Sequence, residues 1–346
     1  MRKVIYDCDN TMGIKNRDID DGLALIYLLE EKSIDLLGVT CTYGNDNVDI
    51  VFNQTKELAK DIGEKNLKIF KGNKSNTINS KYEVDISDKK NGCNSEYEVD
   101  AFDKKKETIY EGESKLLPLE YKSDASSFIV DMVNKYPNEV SIIATGSMRN
   151  IYDAYNLDNE LFSKVDEIIL MGGTTSPLLF GEKEMKELNF TVFPQGIRTI
   201  LENNEKTAIL TGNNCMEVEF TRKHLNEIEK LIVDTSYEKY KFVLDKIESW
   251  MNDFKEEYNY DAIILWDLLA AVYFVERELF IEEKLSINID YEKLQKGRLT
   301  STDEENNYEK LQKGRLTPID EKKSSKSIIL PKPKKDFYEH LLNKIN

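Results

Sequence analysis

Histidine is nearly absent from this chain: His224 and His340 are the only two in 346 residues. A zinc centre built on clustered histidines is therefore excluded. Cysteine is almost as scarce, and Cys8, Cys41, Cys93 and Cys215 show no paired spacing, so reduced thiols are expected. Positive charge is in deficit, with 48 Lys and Arg against 64 Asp and Glu and a formal net charge of −16. Such a balance repels phosphate backbones and argues against nucleic acid as a partner. No apolar run approaches the ~20 residues of a membrane span, so no membrane partner is expected. The start, Met1-Arg2-Lys3, lacks the apolar stretch of ~7–15 residues that a secretory signal needs. A cytoplasmic protein binding small molecules and cations is the expectation.

What is present is enough apolar material, 40% of the residues, for one large domain or two small ones. Strand and helix patterns alternate through most of it. The apolar run Leu36 to Thr42 reads as a parallel strand covered on both faces. Helical spacing follows from Val48 to about Ile62, then a short strand at Leu67 to Phe70. Ser123 to Tyr136 reads as a helix, and Val140 to Thr145, Val165 to Met171 and Thr207 to Gly212 as strands. Residues from Thr221 to Phe280 are mostly helical, with Thr221 as an N-cap. The fold class predicted is α/β: an open, doubly wound, mostly parallel sheet with helices on both faces. The chain reads as one domain, 1–346, with two interruptions. A polar insertion at about 74–122 contains an imperfect repeat, KYEVD at 81–85 and EYEVD at 96–100. A hairpin insertion at about 290–318 contains YEKLQKGRLT twice, at 291–300 and 308–317. Two copies do not make a solenoid, and duplication of a surface hairpin is the plain reading.

The chemistry is concentrated near the N-terminus. The apolar strand Val4-Ile5-Tyr6 runs into Asp7 and Asp9, and Asp20-Asp21 then open the apolar helix that follows. Carboxylates gathered where a strand ends and a helix begins lie where open α/β sheets bind ligands. They repel one another unless a cation intervenes, and an all-oxygen ligand set favours calcium or magnesium. Alone, Asp7-Cys8-Asp9-Asn10-Thr11 is the D-x-D-x-T motif of haloacid-dehalogenase-like phosphatases. That motif would make Asp7 the nucleophile of a magnesium-dependent reaction, with Thr145 at a strand end as a second motif.

The longer pattern resembles the inosine–uridine preferring nucleoside hydrolase family. Its blocks here are Asp7-x-Asp9, Asp20-Asp21-Gly22-Leu23-Ala24-Leu25, Gly44-Asn45, Ala144-Thr145-Gly146-Ser147-Met148-Arg149-Asn150, Met171-Gly172-Gly173, Glu187-Leu188-Asn189 and Trp266-Asp267. They run in family order from Val4 to about Ala271. The resemblance implies a Rossmann-like nucleoside hydrolase fold and hydrolysis of a ribonucleoside to ribose and free base. It implies calcium held by Asp9, Asp21, Asp267 and the backbone carbonyl of Thr145, with Asp9 also the general base toward water. Asp20, Asn45, Glu187, Asn189 and Asp267 are then the sugar-binding residues, and Asp7 orients the ligand loop. It implies a small-molecule partner and a homo-oligomer, dimer or tetramer.

Three departures from the family stand out. Asn10 to Ile19 form a longer loop between the two acidic elements, which must bulge outward to return Asp20 and Asp21 to the site. Trp266 occupies the place of a histidine that protonates the leaving base, and stacking of the base on Trp266 is the replacement we expect there. The family's D-P-E turn reads Phe193-Pro194-Gln195. Taken singly, these residues also have plainer readings. Asp20-Asp21 could be a helix cap, Trp266 core, Cys8 a small buried filler, and both histidines bystanders. A catalytically weak nucleoside- or ribose-binding protein is the third class compatible with the missing histidine.

Overall fold

A computed structural model describes residues 1–74, 121–234, 240–301 and 325–345. Most of the expected polar insertion, Cys93 and the second repeat copy lie outside the described residues.

The first half runs β1 (Arg2–Cys8), α1 (Asp20–Glu30), β2 (Ile34–Cys41), α2 (Val48–Asp61), β3 (Ile69–Lys71), α3 (Asp124–Lys135), β4 (Val140–Ala144), α4 (Arg149–Leu157), α5 (Leu161–Lys164) and β5 (Ile168–Met171). A small hairpin follows, β6 (Leu178–Phe180) and β7 (Lys183–Met185). Then come α6 (Pro194–Asn203), β8 (Thr207–Leu210), α7 (Gly212–Cys215), β9 (Phe220–Thr221), α8 (Arg222–Asp234), α9 (Lys241–Tyr258), β10 (Ala262–Ile263) and α10 (Trp266–Val275). The chain ends with β11 (Phe280–Asn288), α11 (Tyr291–Leu294), β12 (Thr300–Ser301), β13 (Ser325–Pro333) and α12 (Phe337–Ile345).

Nine strands form one sheet in the order β12-β11-β13-β8-β5-β4-β1-β2-β3. From β13 to β3 every pairing is parallel, and only the β11 pairings are antiparallel. The α/β, mostly parallel sheet expected from the sequence is therefore present. The chain leaves β1 toward β2 and β3, then returns to β4 on β1's other side. That reversal is a topological switch point, and it opens a crevice at the carboxyl ends of β1 and β4. Asp7 and Asp9 end the first of these strands, and Thr145 follows the second.

Alternation within the strands builds a core on each face. Val4, Tyr6, Cys8, Ile143, Ile169 and Leu210 pack into one cluster with α1, α9 and α10. Ile5, Ile142, Ala144, Ile168, Leu170 and Ile209 pack into the other with α3, α4 and α6. Local signals place the helices that carry the site. Asn47 accepts from the N–H groups of Asp49 and Ile50 to start α2, and Ser123 with Ser126 forms a capping box on α3. Helix α10 is buried along almost its whole length, as its unbroken apolar sequence requires. Thr221 stands just before α8 as expected, but there its N–H donates to His224 Nδ1 at 3.0 Å. Among the described residues no helix is long and apolar enough to cross a membrane.

Leu170, in β5, is fully buried under the second layer. Leu170→Ala should cost about 2–5 kcal/mol through lost burial and a residual cavity. The expected result is a lower urea midpoint with unchanged far-ultraviolet circular dichroism.

Candidate metal centre and active site

The strand alternation sends Tyr6 and Asp7 to opposite faces of the sheet, and each serves the site from its own side. The Tyr6 hydroxyl donates to Asp21 Oδ1 at 3.1 Å, and the Thr145 hydroxyl donates to the same oxygen at 2.7 Å. Asp7 pairs in register with Thr40 and Ala144. Its Oδ1 accepts from the Thr40 hydroxyl at 2.6 Å and from Asn150 Nδ2 at 2.7 Å. Asp7 is wholly buried, with Oδ1 engaged and Oδ2 without a donor; burial does not favour the phosphatase reading, in which Asp7 would attack a substrate.

Helix α1 opens with Asp20 and Asp21, and α10 opens with Trp266 and Asp267. The two helix N-termini meet: the Asp267 N–H donates to Asp20 Oδ2 at 3.0 Å, across 247 residues of sequence. Asp20, Asp21 and Asp267 each offer an oxygen, all lying within 4.8 Å of one another. Asp9 joins from the end of β1. Its carboxylate comes against that of Asp21, its Oδ2 accepts the Asn45 N–H at 2.6 Å, and its Oδ1 is buried with no donor. Gly44 permits this contact, because a Cβ there would stand 1.9 Å from Asp9 Oδ2. The inserted loop Asn10–Ile19 does bulge outward and return. The Thr11 hydroxyl donates to the Asp18 carbonyl at 3.1 Å, closing its neck, and Arg17 pairs with Asp46 at 3.4 Å. The loop borders a cleft of about 700 Å³ with Phe242 and Trp250 of α9, and none of Asp9, Asp20, Asp21 and Asp267 lines it.

Crowding shows in the electrostatics. Burial, and then the neighbouring carboxylates, hold Asp9, Asp20 and Asp267 well above the ordinary carboxylate range. Burial also raises Asp21 to about 6, against opposing hydrogen bonds from Thr145 and Tyr6. It raises Asp7 to about 7, against those from Thr40 and Asn150. Four acidic side chains with one orphaned oxygen and few donors fit a hard cation held by oxygen. Among the described residues the trio close enough to share an ion contains Asp20 where the sequence reading has Asp9, and the Asp267 amide holds Asp20 at the start of α10.

The other expected residues fall in two places. Asn45 Nδ2 reaches Asp21 Oδ2 at 3.4 Å, beside the acidic group. Asn189 Nδ2 donates to the Met171 carbonyl at 3.1 Å. Glu187 accepts from the N–H groups of Gly173 at 3.1 Å and Phe190 at 2.9 Å. Burial lifts Glu187 to about 7. Trp266 is 7% exposed and meets the Phe180 ring edge-on, with centroids 6.3 Å apart. His224 packs on Tyr338, and His340 Nδ1 lies 3.0 Å from Asp336 Oδ2; neither is among the grouped carboxylates and their partners described above. Sequence reading missed Tyr6, Thr40 and Asn150. The alternation in β1 could have exposed Tyr6; the other two depend on strand register and on how α4 docks.

A profile of the family described as inosine-uridine preferring nucleoside hydrolase matches residues 4–328. A probable uridine nucleosidase 2 of Oryza sativa subsp. japonica is 22% identical, over 87% of this chain and 82% of that protein. The inosine-uridine preferring nucleoside hydrolase of Crithidia fasciculata is 19% identical, over 84% of each. Among solved structures, a plant nucleoside hydrolase superposes with a TM-score of 0.71 at 18% identity, covering 99% of this chain and 98% of that one. A purine-preferring ribonucleoside hydrolase from Gardnerella vaginalis gives 0.69 at 21% identity, with 99% and 98% covered. At these identities the superpositions speak for the fold.

Asp7 and Asp21 rise from 3.8 to about 7 and about 6 on folding, so without a cation the native state binds more protons than the unfolded chain. Stability of the chelated protein should therefore fall as pH rises from about 4 to about 7. Saturating divalent cation should reverse the loss near neutrality, adding about 2.7 kcal/mol at a hundredfold excess over Kd. Thermal melts with and without chelator across this range check it, and melts indifferent to cation near pH 7 would remove the ion from this cluster.

Proposed function

Because this chain belongs to the inosine-uridine preferring nucleoside hydrolase family, we propose that it hydrolyses ribonucleosides to ribose and free base at the carboxylate site at the switch point. The observation that carries the assignment of the site is the arrival of Asp267 beside Asp20 and Asp21 from 247 residues away. The family is metal-dependent, and this buried acidic group can hold a metal. Calcium is the ion we assign, held by Asp9, Asp21, Asp267 and the Thr145 carbonyl. When bound, such a cation acidifies water and grips vicinal hydroxyls.

The chain's own residues then divide the work. Glycosidic cleavage builds oxocarbenium character on the ribose and negative charge on the departing base. Asp9 takes the proton of the attacking water, a role suited to its buried oxygen without a donor. Tyr6 and Thr145 keep Asp21 oriented toward the ion. Asp20 and Asn45 accept and donate to the sugar hydroxyls beside the ion, and Asn189 and Glu187 line the sugar's other side. Trp266 cannot deliver a proton near neutrality, because an indole N–H does not titrate there. Its ring stacks with the base, held in place by Phe180. One catalytic domain, interrupted at about 74–122 and 290–318, carries all of these groups.

A panel of ribonucleosides assayed for free ribose tests the reading. Release should stop on chelation and fall by about 10²–10⁴-fold in Asp9→Ala, the range for loss of a general base. Asp267→Ala should abolish calcium binding in calorimetry together with turnover. Trp266→Ala should lower kcat, and an unchanged kcat would discard the stacking role. Tight nucleoside binding without any turnover would replace the enzyme with a binding protein.

A further inference from the structure

The first copy of the repeated decapeptide, residues 291–300, has no part in the chemistry above, yet it is not a solvated surface hairpin. Leu294, Leu299 and Thr300 are buried, and Leu294 and Leu299 join the core cluster that contains Phe190. Its backbone is tied to the loop that follows β5. The Thr174 N–H donates to the Gly297 carbonyl at 2.7 Å, and the Leu299 N–H donates to the Thr174 carbonyl at 2.9 Å. One residue earlier in that loop, Gly173 donates its N–H to Glu187 Oε1. Glu187 Oε2 accepts from Phe190 at 3.2 Å and Thr191 at 3.3 Å. Glu187 thus staples the Gly172–Thr174 loop to the segment that carries Asn189.

Gly297 closes the staple from outside. Its φ is +67°, and a Cβ there would stand 2.2 Å from Glu187 Oε2 and 2.9 Å from Glu187 Cβ. The carboxylate cannot step aside cheaply, because three backbone amides hold it. Gly63 supplies a comparison within the same chain: its φ is +84°, and a Cβ there meets nothing within 4 Å.

We propose that Gly297 is a positioning residue for ribonucleoside hydrolysis: the decapeptide 291–300 presses Glu187 onto the loops that face the sugar. This rests on the hydrolase reading and on the sugar-side placement of Glu187 and Asn189. A side chain at 297 would displace the Glu187 carboxylate, and with it the sugar-side hydrogen bonds, while leaving the cation ligands in place.

The experiment uses the full chain loaded with calcium and four variants: Gly297→Ala, Gly63→Ala, Glu187→Ala and the Gly297→Ala/Glu187→Ala double variant. Gly297→Ala should lower kcat/KM on the ribonucleoside cleaved best by about tenfold or more, mostly through KM. Gly63→Ala should change it by less than about twofold. In the Glu187→Ala background the Gly297 substitution should have a clearly smaller effect, because the carboxylate it strikes hardest is gone and only the 2.9 Å approach to the Cβ at 187 remains. Tm should follow the same pattern, with a drop for Gly297→Ala larger than for Gly63→Ala and smaller in the Glu187→Ala background than in the wild-type one. Calcium affinity should not change in Gly297→Ala. Equal losses of kcat/KM for Gly297→Ala with and without Glu187 would overturn the proposal, as would a loss of calcium affinity. Coupled Tm values with uncoupled kcat/KM would leave a packing contact only and also overturn it. A wild-type chain that cleaves no ribonucleoside but keeps the Tm coupling would remove the hydrolase reading itself and the positioning role with it.

Discussion

Repulsion among carboxylates withheld from water is the constraint around which this structure is organised. Asp9, Asp20, Asp21 and Asp267 are buried together where β1 ends and two helices begin. Burial and mutual charge both oppose their ionisation. Donors inside the protein offset part of this. Tyr6, Thr145 and Asn45 serve Asp21, backbone amides serve Asp9 and Asp20, and the N-termini of α1 and α10 contribute their dipoles. The donors run out at Asp9 Oδ1. Held this short of donors, the buried acidic group can take a metal ion, in keeping with a metal-dependent family.

Much of this was legible in the sequence because it is written in short, local blocks. The D-x-D after an apolar strand, the D-D before an apolar helix and the M-G-G at a strand end each mark an element boundary. The parallel strands of the sheet announced themselves as continuous apolar runs, since burial on both faces removes the polar alternation. Trp266-Asp267 was legible only through family order, because nothing local says that α10 will arrive beside α1. What could not be read were contacts set by register and docking. Thr40 lies opposite Asp7 only because β1 and β2 pair as they do. Asn150 reaches the same carboxylate only because α4 packs against that face. Duplication of the decapeptide suggests a surface hairpin, but it says nothing of tertiary contact, and Leu294 and Leu299 of the first copy are buried.

In the order of the sequence blocks Trp266 falls where the family resemblance implies a histidine, and an indole carries no group that titrates near neutrality. A titratable group beside the leaving base lets one enzyme accept bases of different basicity. The Trp266 ring meets Phe180, which in turn packs against Phe254, Tyr258 and Tyr260 around the β6–β7 hairpin.

The meeting of α1 and α10 also bears on how the molecule is made. Asp20 and Asp21 leave the ribosome early, and their amide partner follows only after most of the polypeptide has been synthesised. Until then the nascent N-terminal half carries acidic groups whose eventual neighbours do not exist, so it gains nothing by burying them. Closing so long a span costs chain entropy that only the finished sheet repays. A centre that uses all of these carboxylates therefore cannot assemble before Asp267 has reached its place beside Asp20 and Asp21.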